Sequence, residues 1–373
     1  MPNVTSMLKA VAKYPLVNLP WSYPIYSNTA MALLGAVNVA ANKLASANPD
    51  LEPQTHEDLI KRDVFKPLGF DSSFFRVPVS SAAKQVAVPK DYSKWADIWL
   101  DGADPAGGQY SSLRDLEALM QSLLSPSARG GVVSANVVRE WLRPLHVWGA
   151  TKQEVGAPWE VMNIDNKVQA YTKGCSLPSS YSQVVNPLSG GDLPGYHSQF
   201  ALIPEYSYGI IVLLTGTYDA SAILTEITKR LHPTLNRIYQ TELERRYVGQ
   251  WASEDGSGVA EITLDKGKNT LFVKRLFVQG VDTLKSVHEN GLLRGVRAPG
   301  PAQVALWSTG RVGEFRLAFG VPNLNKVPGI GCFPYWATID PGLNSRGAPI
   351  DLLYWEGGSL VYPSAGITLN RIR

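Results

Sequence analysis

The stretch Tyr-Ser-Asn-Thr-Ala-Met-Ala-Leu-Leu-Gly, residues 26–35, joins a polar loop to an apolar segment. Behind it, apolar residues recur at three- and four-residue steps: Ala30, Leu33, Leu34, Val37, Ala41 and Leu44. This period predicts a helix over residues 29–46 whose apolar stripe is buried. Tyr26 and Asn28 lie two residues apart just before it, so both side chains can face one cleft. Because tyrosine and asparagine are also ordinary loop and cap residues, the pattern needs support from the rest of the chain.

Length and composition indicate a globular protein of two domains. The chain has 373 residues, of which 45% are apolar and 18% charged, and its formal charge is +3. One compact core rarely spans so long a chain. The cations are scattered, which argues against nucleic-acid binding, and the longest apolar runs are strand-sized, which argues against a membrane span. The residues after Met1 do not read as a signal peptide, so localisation stays open, with secretion requiring a preceding segment. The sequence does not indicate the oligomeric state.

Several catalytic classes lack their motif. His56-Glu57 is followed by Ile60 where a zinc hydrolase has its second histidine, and no Gly-x-Ser-x-Gly elbow occurs. The glycine-rich loops that hold nucleotides are absent from the sequence as well. Two cysteines, Cys175 and Cys332, are too few for a disulfide scaffold or a cysteine-rich metal site. We therefore expect neither a metal nor an organic cofactor.

The character of the chain changes along its length. Its first half reads as helices between loops rich in proline and glycine, and one helix starts at Ser112 with Asp115 as its capping-box partner. In the second half, strands are predicted over residues 168–171, 199–203 and 209–214. After Tyr247 almost only strands and turns follow, which predicts a small antiparallel barrel or sandwich. We therefore expect an α+β domain over residues 1–245 and an all-β domain over residues 246–373.

Five blocks of sequence follow one another in an order that is typical of one family. They are Tyr26-Ser27-Asn28, Val64-Phe65-Lys66-Pro67-Leu68-Gly69-Phe70, Gly107-Gly108-Gln109-Tyr110-Ser111-Ser112, Gly195-Tyr196-His197-Ser198 and Leu202-Ile203-Pro204-Glu205. Together they resemble the serine β-lactamase and penicillin-binding-protein family, especially the class C-like esterases and acyltransferases of its fungal branch. This resemblance implies a β-lactamase/transpeptidase-like fold, with helices packed on an antiparallel sheet. The tail from Tyr247 resembles the lipocalin-like domains of some members, and we assign it no ligand.

The nucleophile of that family is the first point of departure. Its serine lies in a Ser-x-x-Lys motif that opens a buried helix well before the tyrosine loop, whereas Tyr26 lies close to Met1. Ser6-Met7-Leu8-Lys9 fits the letters but stands where the family has an ordinary helix, and Ser81-Ala82-Ala83-Lys84 lies downstream in a Pro-flanked loop. We interpret both as coincidences, with Ser6 as the weak candidate. The resemblance therefore leads us to expect an N-terminally truncated member without an assigned nucleophile.

The third motif of the family, Lys-Thr-Gly on the strand beside the cleft, is the second point of departure. Counting back from Gly195-Tyr196 reaches Ser189-Gly190-Gly191, which has no cation. Lys173-Gly174 lies upstream, beyond the uncharged stretch 175–190. Removing that stretch gives Lys-Gly-Gly-Asp-Leu-Pro-Gly-Tyr with the lysine in register. The stretch is either an unremoved intron in the gene or a genuine loop at the rim of the cleft.

The resemblance implies roles for five residues in all. In the family, a serine attacks an ester, thioester or amide carbonyl and forms an acyl-enzyme. Tyr26 would act as the base, assisted by the charge of Lys173, and Asn28 would hold the acyl side of a small-molecule substrate. An amide near Asp192 would help to bind the oxyanion. His197 is a candidate contact at the rim, with a solvent-facing strand residue as the alternative.

Two functions remain open from the sequence. The first is a hydrolase or acyltransferase of this family, acting on an ester or on a molecule of secondary metabolism. The second is a catalytically inactive relative that serves as a binding or scaffold protein, with the β-rich tail as its interaction module. Fold resemblance alone does not separate them, because one fold carries many reactions.

Overall fold

The computed structural model describes residues 3–79, 84–126, 131–148, 153–164, 168–174, 191–290, 304–318 and 341–372. The chain forms two compact units, Met1–Leu231 and His232–Arg373. The sequence placed the division near residue 245, fourteen residues later, and the observed division falls within a helix. Cys175 and Cys332 lie outside the described residues.

In the described residues before His146, the named elements are helices and helical turns. The α-helices are α1 Val4–Val11, α2 Asn28–Ala45, α3 His56–Ile60, α4 Lys66–Leu68, α5 Asp104–Gly107, α6 Leu113–Leu124, α7 Ala135–Trp141, α8 Ala220–Tyr247 and α9 Thr283–Asn290. Short 3-10 turns occur at Pro49–Leu51, Lys90–Trp95, Asp101–Ala103 and Pro204–Tyr206, and Lys61–Phe65 forms a π-type turn. The long helix α8 continues through Pro233, which lies inside it.

The bounds predicted for α2 are confirmed to one residue, but the face predicted to be buried is wrong. The buried residues are Ala32, Gly35 and Val39, whereas the large apolar side chains remain accessible, Val37 to 58% and Leu44 to 88%. The physical reason is close packing through small residues. A Cβ on Gly35 would lie 2.2 Å from Cγ of Pro105, so only the small-residue face of α2 can approach α5.

An antiparallel sheet forms the centre of the first unit. Its strands are β1 His146–Trp148, β2 Gln153–Val155, β3 Glu160–Ile164, β4 Val168–Gly174, β5 Gly191–Leu193, β6 Tyr196–Ile203 and β7 Tyr208–Thr215. They pair in the order β1-β2-β3-β4-β6-β7, and β5 also pairs with β6. Ala201 and Ile203 pack towards Leu224 of α8, whereas Leu202 packs towards Met120 of α6. Helices therefore cover both faces of the sheet, which confirms the predicted α+β class.

The start of α6 confirms half of its predicted capping box. Ser112 caps the helix, and its Oγ accepts from the Asp115 amide over 3.1 Å. The carboxylate of Asp115, which is 2% exposed, does not return the bond that a capping box would make. Instead its Oδ2 accepts from the amide of Ser72 at 3.0 Å and from the hydroxyl of Ser73 at 2.7 Å. Asp115 thus ties α6 to the loop after the Pro67-Leu68-Gly69 block.

The second unit contains a closed antiparallel barrel. Its strands are β8 Gly249–Ala252, β9 Gly258–Asp265, β10 Thr270–Val278, β11 Val281–Asp282, β12 Val304–Ser308, β13 Glu314–Ala318, β14 Leu352–Glu356, β15 Ser359–Tyr362 and β16 Ile367–Arg371. Eight of these described strands form a ring in which β16 pairs with β8, and β11 lies outside the ring and pairs with β10. Its core includes Trp251, Val273, Leu317 and Leu353, each at most 1% exposed. Barrels of eight strands have room for such side chains.

Candidate active site

Tyr26 and Asn28 lie beside each other at the N-terminus of α2. Ser27 between them has an extended backbone and caps the helix, with its Oγ accepting from the Ala30 amide over 3.1 Å. The cap fixes the chain on both sides of Ser27. The Tyr26 hydroxyl donates to Oδ1 of Asn28 over 3.1 Å, and Tyr26 itself is 51% exposed. The structure therefore brings these two candidates together at an accessible position.

The first turn of α2, where this pair lies, is a favourable position for an anion. No acidic residue lies in the first turn of α2, whose free amide groups form the positive end of the helix dipole. The sequence has no Asp or Glu before Asp50, but it has Lys9, Lys13 and Lys43 in that stretch. A negative charge that forms near Asn28 is therefore not opposed by a carboxylate of the neighbouring sequence.

Ser6 occupies a different environment from the one a buried nucleophile needs. It lies in the first turn of α1, where its amide donates to Oδ1 of Asn3 over 2.9 Å. Both Ser6 and Lys9 are exposed, and Met7 is the buried residue of this helix. Ser81, the other pattern match, lies outside the described residues.

The two strands that flank residues 175–190, β4 and β5, both pair with β6. Gly174, the last residue of β4, lies opposite Gln199, and Gly191, the first residue of β5, lies opposite Ser198. Lys173 lies opposite Phe200, one position before Gly174. The side chains of Lys173 and Asp192 lie outside what the structure describes, so both candidates are placed here by their backbone register alone.

His197 lies at the start of β6, opposite Asp192 in the register with β5. Its ring is half-buried, and Nε2 lies 2.9 Å from the carbonyl oxygen of Gly216. This contact holds the ring to the turn that follows β7. His197 therefore lies on the strand next to the split motif, with one ring nitrogen engaged by the backbone.

The turn between β5 and β6 places the motif residues. Leu193 pairs with Tyr196, so Pro194 and Gly195 form a two-residue hairpin, in which Gly195 has φ +83°. That backbone conformation suits glycine, and a Cβ at this position would also lie 2.5 Å from Pro89. The Tyr196 hydroxyl donates to the carbonyl of Ala87 over 2.6 Å. These contacts fix the loop around residue 89 against the end of the strand.

Two buried polar groups behind α2 were not predicted from the sequence. Nδ1 of His56 and Oδ1 of Asp104 are buried and have no hydrogen-bond partner among the described residues, although Oδ2 of Asp104 accepts from Trp99 over 3.0 Å. Burial lowers the pKa of His56 and raises the pKa of Asp104. A Cβ on Gly108 would lie 2.3 Å from Oδ1 of Asp104. This contact explains the glycine in the Gly107-Gly108 block, and no local sequence signal reveals the burial.

Comparison with known proteins agrees with the observed architecture. The β-lactamase family model matches residues 1–232, which is nearly the extent of the first unit. The chain belongs to the β-lactamase family. The Beta-lactamase-like protein str6 of Strobilurus tenacellus is 32% identical over 330 residues, which are 86% of this chain and 99% of that protein. A Beta-lactamase-like protein of Arthroderma benhamiae is 26% identical over 392 aligned positions, covering 92% of this chain and 60% of the relative.

Solved structures of lower identity are similar over part of the chain. A class C β-lactamase from Rhodobacter sphaeroides has 17% identity and a TM-score of 0.46, covering 63% of this chain and 66% of the enzyme. A D-stereospecific amidohydrolase from a Streptomyces species has 15% identity and a TM-score of 0.45, covering 60% of each chain. Membership of the β-lactamase family itself supports a serine-hydrolase type of activity.

Two features are absent from the described part of the chain. No helix found there combines the length and apolar character that crossing a bilayer requires. Within the same residues, no group of three or more His, Cys, Asp or Glu side chains is arranged to hold a metal ion.

Proposed function

We propose that this protein is a serine-type hydrolase or acyltransferase that acts through an acyl-enzyme on a small ester, thioester or amide. The observation that carries the proposal is the accessible pair of Tyr26 and Asn28 at the start of α2, in a chain of the β-lactamase family. The phenolic oxygen of Tyr26 can accept and pass on a proton, and the side-chain NH₂ of Asn28, whose Oδ1 lies 3.1 Å from that hydroxyl, can donate to a carbonyl group. An ester from secondary metabolism is the substrate class we favour.

Tyr26 takes the role of proton carrier in this proposal. It receives the proton of the attacking hydroxyl and passes it to the leaving group, a step of the kind that contributes roughly 10²–10⁴-fold in rate. A phenol titrates near 10 in water, so such a base needs positive charge nearby. We assign part of that charge to the helix dipole of α2 and the rest to the ammonium group of Lys173, the role that the family resemblance implies for it.

Asn28 and residues of the paired strands β5 and β6 bind the substrate in this proposal. The Asn28 amide has a second hydrogen-bonding group beyond the one that meets Tyr26, and we assign it to the acyl-side polar group of the substrate. The backbone amide at Asp192 is proposed as a donor to the oxyanion, and His197 as a contact at the rim. Removal of one oxyanion donor typically costs about 10²–10³-fold in kcat.

Covalent labelling tests the proposal. The full chain is incubated with a fluorescent phosphonate, and separately with a fluorescent penicillin, and adducts are measured by intact mass. A single adduct is expected, and peptide mapping then identifies the attacking hydroxyl. Loss of the adduct in Ser6→Ala would assign that role to Ser6.

Two substitutions make the labelling test specific. Tyr26→Phe removes the phenolic hydroxyl and is expected to slow labelling by roughly 10²–10⁴-fold. Tyr14→Phe is the matched control, because Tyr14 is an exposed tyrosine (76%) of the same N-terminal region. An equal rate for both variants would remove Tyr26 from the mechanism. Asn28→Ala is expected to raise KM more than it lowers kcat, as expected for a group that binds substrate in the ground state.

A second function is favoured by one observation, the exposed position of Ser6 on α1. If no hydroxyl attacks the probe, we propose that the surface around Tyr26 and Asn28 binds its ligand without cleaving it, as a catalytically inactive relative would. Calorimetry then separates the two functions. Reversible binding of a penicillin or an ester, with no adduct and no product, supports the binding protein and contradicts the hydrolase.

A further inference from the structure

Two separate stretches of sequence, β4 and β5, together occupy one strand position of the sheet in the first unit. Both β4 and β5 run antiparallel to β6, and both lie on the side of β6 opposite β7. The last residue of β4, Gly174, lies opposite Gln199, and the first residue of β5, Gly191, lies opposite Ser198. Since Gln199 and Ser198 are neighbours, Gly174 and Gly191 occupy successive positions of the same strand.

Successive positions can be joined by one peptide bond. Consecutive Cα atoms lie about 3.8 Å apart across a trans peptide. The chain instead inserts the sixteen residues 175–190 between these two positions. We propose that residues 175–190 are an insertion within a single strand, and that a chain with Gly174 joined directly to Gly191 forms the same sheet with greater stability.

The partner strand is held in place on both sides of the junction. The side chain of Gln199, which is 2% exposed, donates to Oγ of Ser221 in α8 over 2.8 Å. On the other side, Nε2 of His197 contacts the carbonyl of Gly216. Ser198 lies between these two anchors, so a joined strand meets a fixed template. Its register is already set at both ends, by Tyr171 opposite Leu202 and by Leu193 opposite Tyr196.

The joined strand would also fix the spacing of two proposed site residues, and this part of the inference rests on the proposed function. In the joined strand, Lys173 and Asp192 are three positions apart, with only Gly174 and Gly191 between them. The proposed ammonium group and the proposed oxyanion amide then belong to one rigid element. Melting experiments test the single strand independently of any activity.

The main variant deletes residues 175–190, which leaves Lys173-Gly174-Gly191-Asp192. The entropy of closing a loop grows with the logarithm of its length. For sixteen residues in a unit of this size, the deletion is expected to raise the melting midpoint by about 5–10 °C. The full-length chain is the reference, and circular dichroism and differential scanning fluorimetry give the midpoints.

A matched control shifts the register by one residue. Deletion of residues 175–191 removes Gly191 as well, so that Asp192 would follow Gly174. A slip of one position sends each following side chain to the opposite face of the strand. We expect this control to lower the midpoint by more than 5 °C below that of the full chain, an effect of the order expected for misplaced core side chains. If both deletions melt alike, the strand is not continuous in the proposed register.

A replacement series keeps the inference testable if the deletion does not fold. Residues 175–190 are replaced by Gly/Ser segments of sixteen, eight and four residues. The sixteen-residue replacement is expected to melt within about 2 °C of the full chain, and each halving is expected to raise the midpoint by roughly 2 °C. Loss of the cooperative transition in the sixteen-residue replacement would show that the native segment belongs to the fold, and would overturn the inference.

Discussion

Substitution of Gly35 by alanine tests the packing that positions the start of α2. Gly35 lies on the buried face of α2, against Pro105 of α5. In an exposed helix position, Gly→Ala stabilises by about 1 kcal/mol, because alanine loses less backbone entropy on folding. At Gly35 the added methyl group meets a neighbouring ring. The two effects have opposite signs, so the measured sign decides which of them dominates.

The size of the change in stability on Gly35→Ala follows from the distances between the added Cβ and Pro105. The new Cβ would lie 2.2 Å from Cγ and 2.5 Å from Cβ of Pro105. Carbon atoms prefer separations of about 3.5–4.0 Å, so the helices must move apart by roughly 1 Å or more. Overpacking of this kind costs about 1–3 kcal/mol, and the rigid proline ring places the cost near the upper end. After the gain in helix propensity is subtracted, Gly35→Ala is expected to destabilise the protein by about 2 kcal/mol.

Urea denaturation followed by circular dichroism measures the effect. Ala40→Gly is the control on the exposed side of the same helix, where a loss of about 1 kcal/mol from propensity alone is expected. The double variant Gly35→Ala/Pro105→Gly tests the contact itself. Because it removes the ring, the coupling energy between the two sites is expected to exceed about 1 kcal/mol in the direction of rescue.

An increase in stability on Gly35→Ala would refute the reasoning. It would mean that α2 does not approach α5 through its small residues, and that another face of α2 is the buried one. Additive effects in the double variant would lead to the same conclusion. In either case the position of Tyr26 and Asn28 at the start of α2 would need to be reconsidered.

Three further substitutions have defined outcomes. Ser27→Ala removes the cap of α2 and is expected to cost about 1 kcal/mol in urea denaturation, while Ser27→Asp retains it. Asp115→Ala leaves the donors at Ser72 and Ser73 without their acceptor and is expected to cost about 3 kcal/mol, more than Asp115→Asn. Burial lowers the pKa of His56, so the unfolded chain binds more protons below its ordinary pKa of 6.5, and stability falls as pH drops below that value. His56→Phe is expected to lessen this fall between pH 7.5 and 5, measured by melting.

Local sequence patterns predicted the elements of the fold well. The helix predicted over residues 29–46 spans Asn28–Ala45, the strand predicted at 199–203 is the C-terminal part of β6, and the strand predicted at 209–214 is the central part of β7. These segments have a clear period of their own. The buried face of α2 was predicted wrongly, because the size of apolar residues was used as the guide. Its packing is decided by a non-local contact with Pro105, which the sequence of the helix does not reveal.

The candidate site was predictable only where its residues are close in sequence. Tyr26 and Asn28 are two residues apart, and the cap at Ser27 between them follows from local rules. The alignment of Gly174 with Gly191 depends on the pairing of both with β6, so the sequence could suggest the split motif but could not establish its register. The buried nitrogen of His56 and oxygen of Asp104 likewise depend on packing between distant segments.

The closed ring of the second unit has a mechanical consequence. Its first strand, β8, pairs with its last, β16, where Trp251 lies opposite Arg371 and the amide of Ile372 donates to the carbonyl of Gln250. A pulling force on residue 372 and on the end of α8 would therefore act across this seam and load its bonds one after another. We expect the barrel to unzip at low force from this seam, while the other seven strand pairs hold until it has opened.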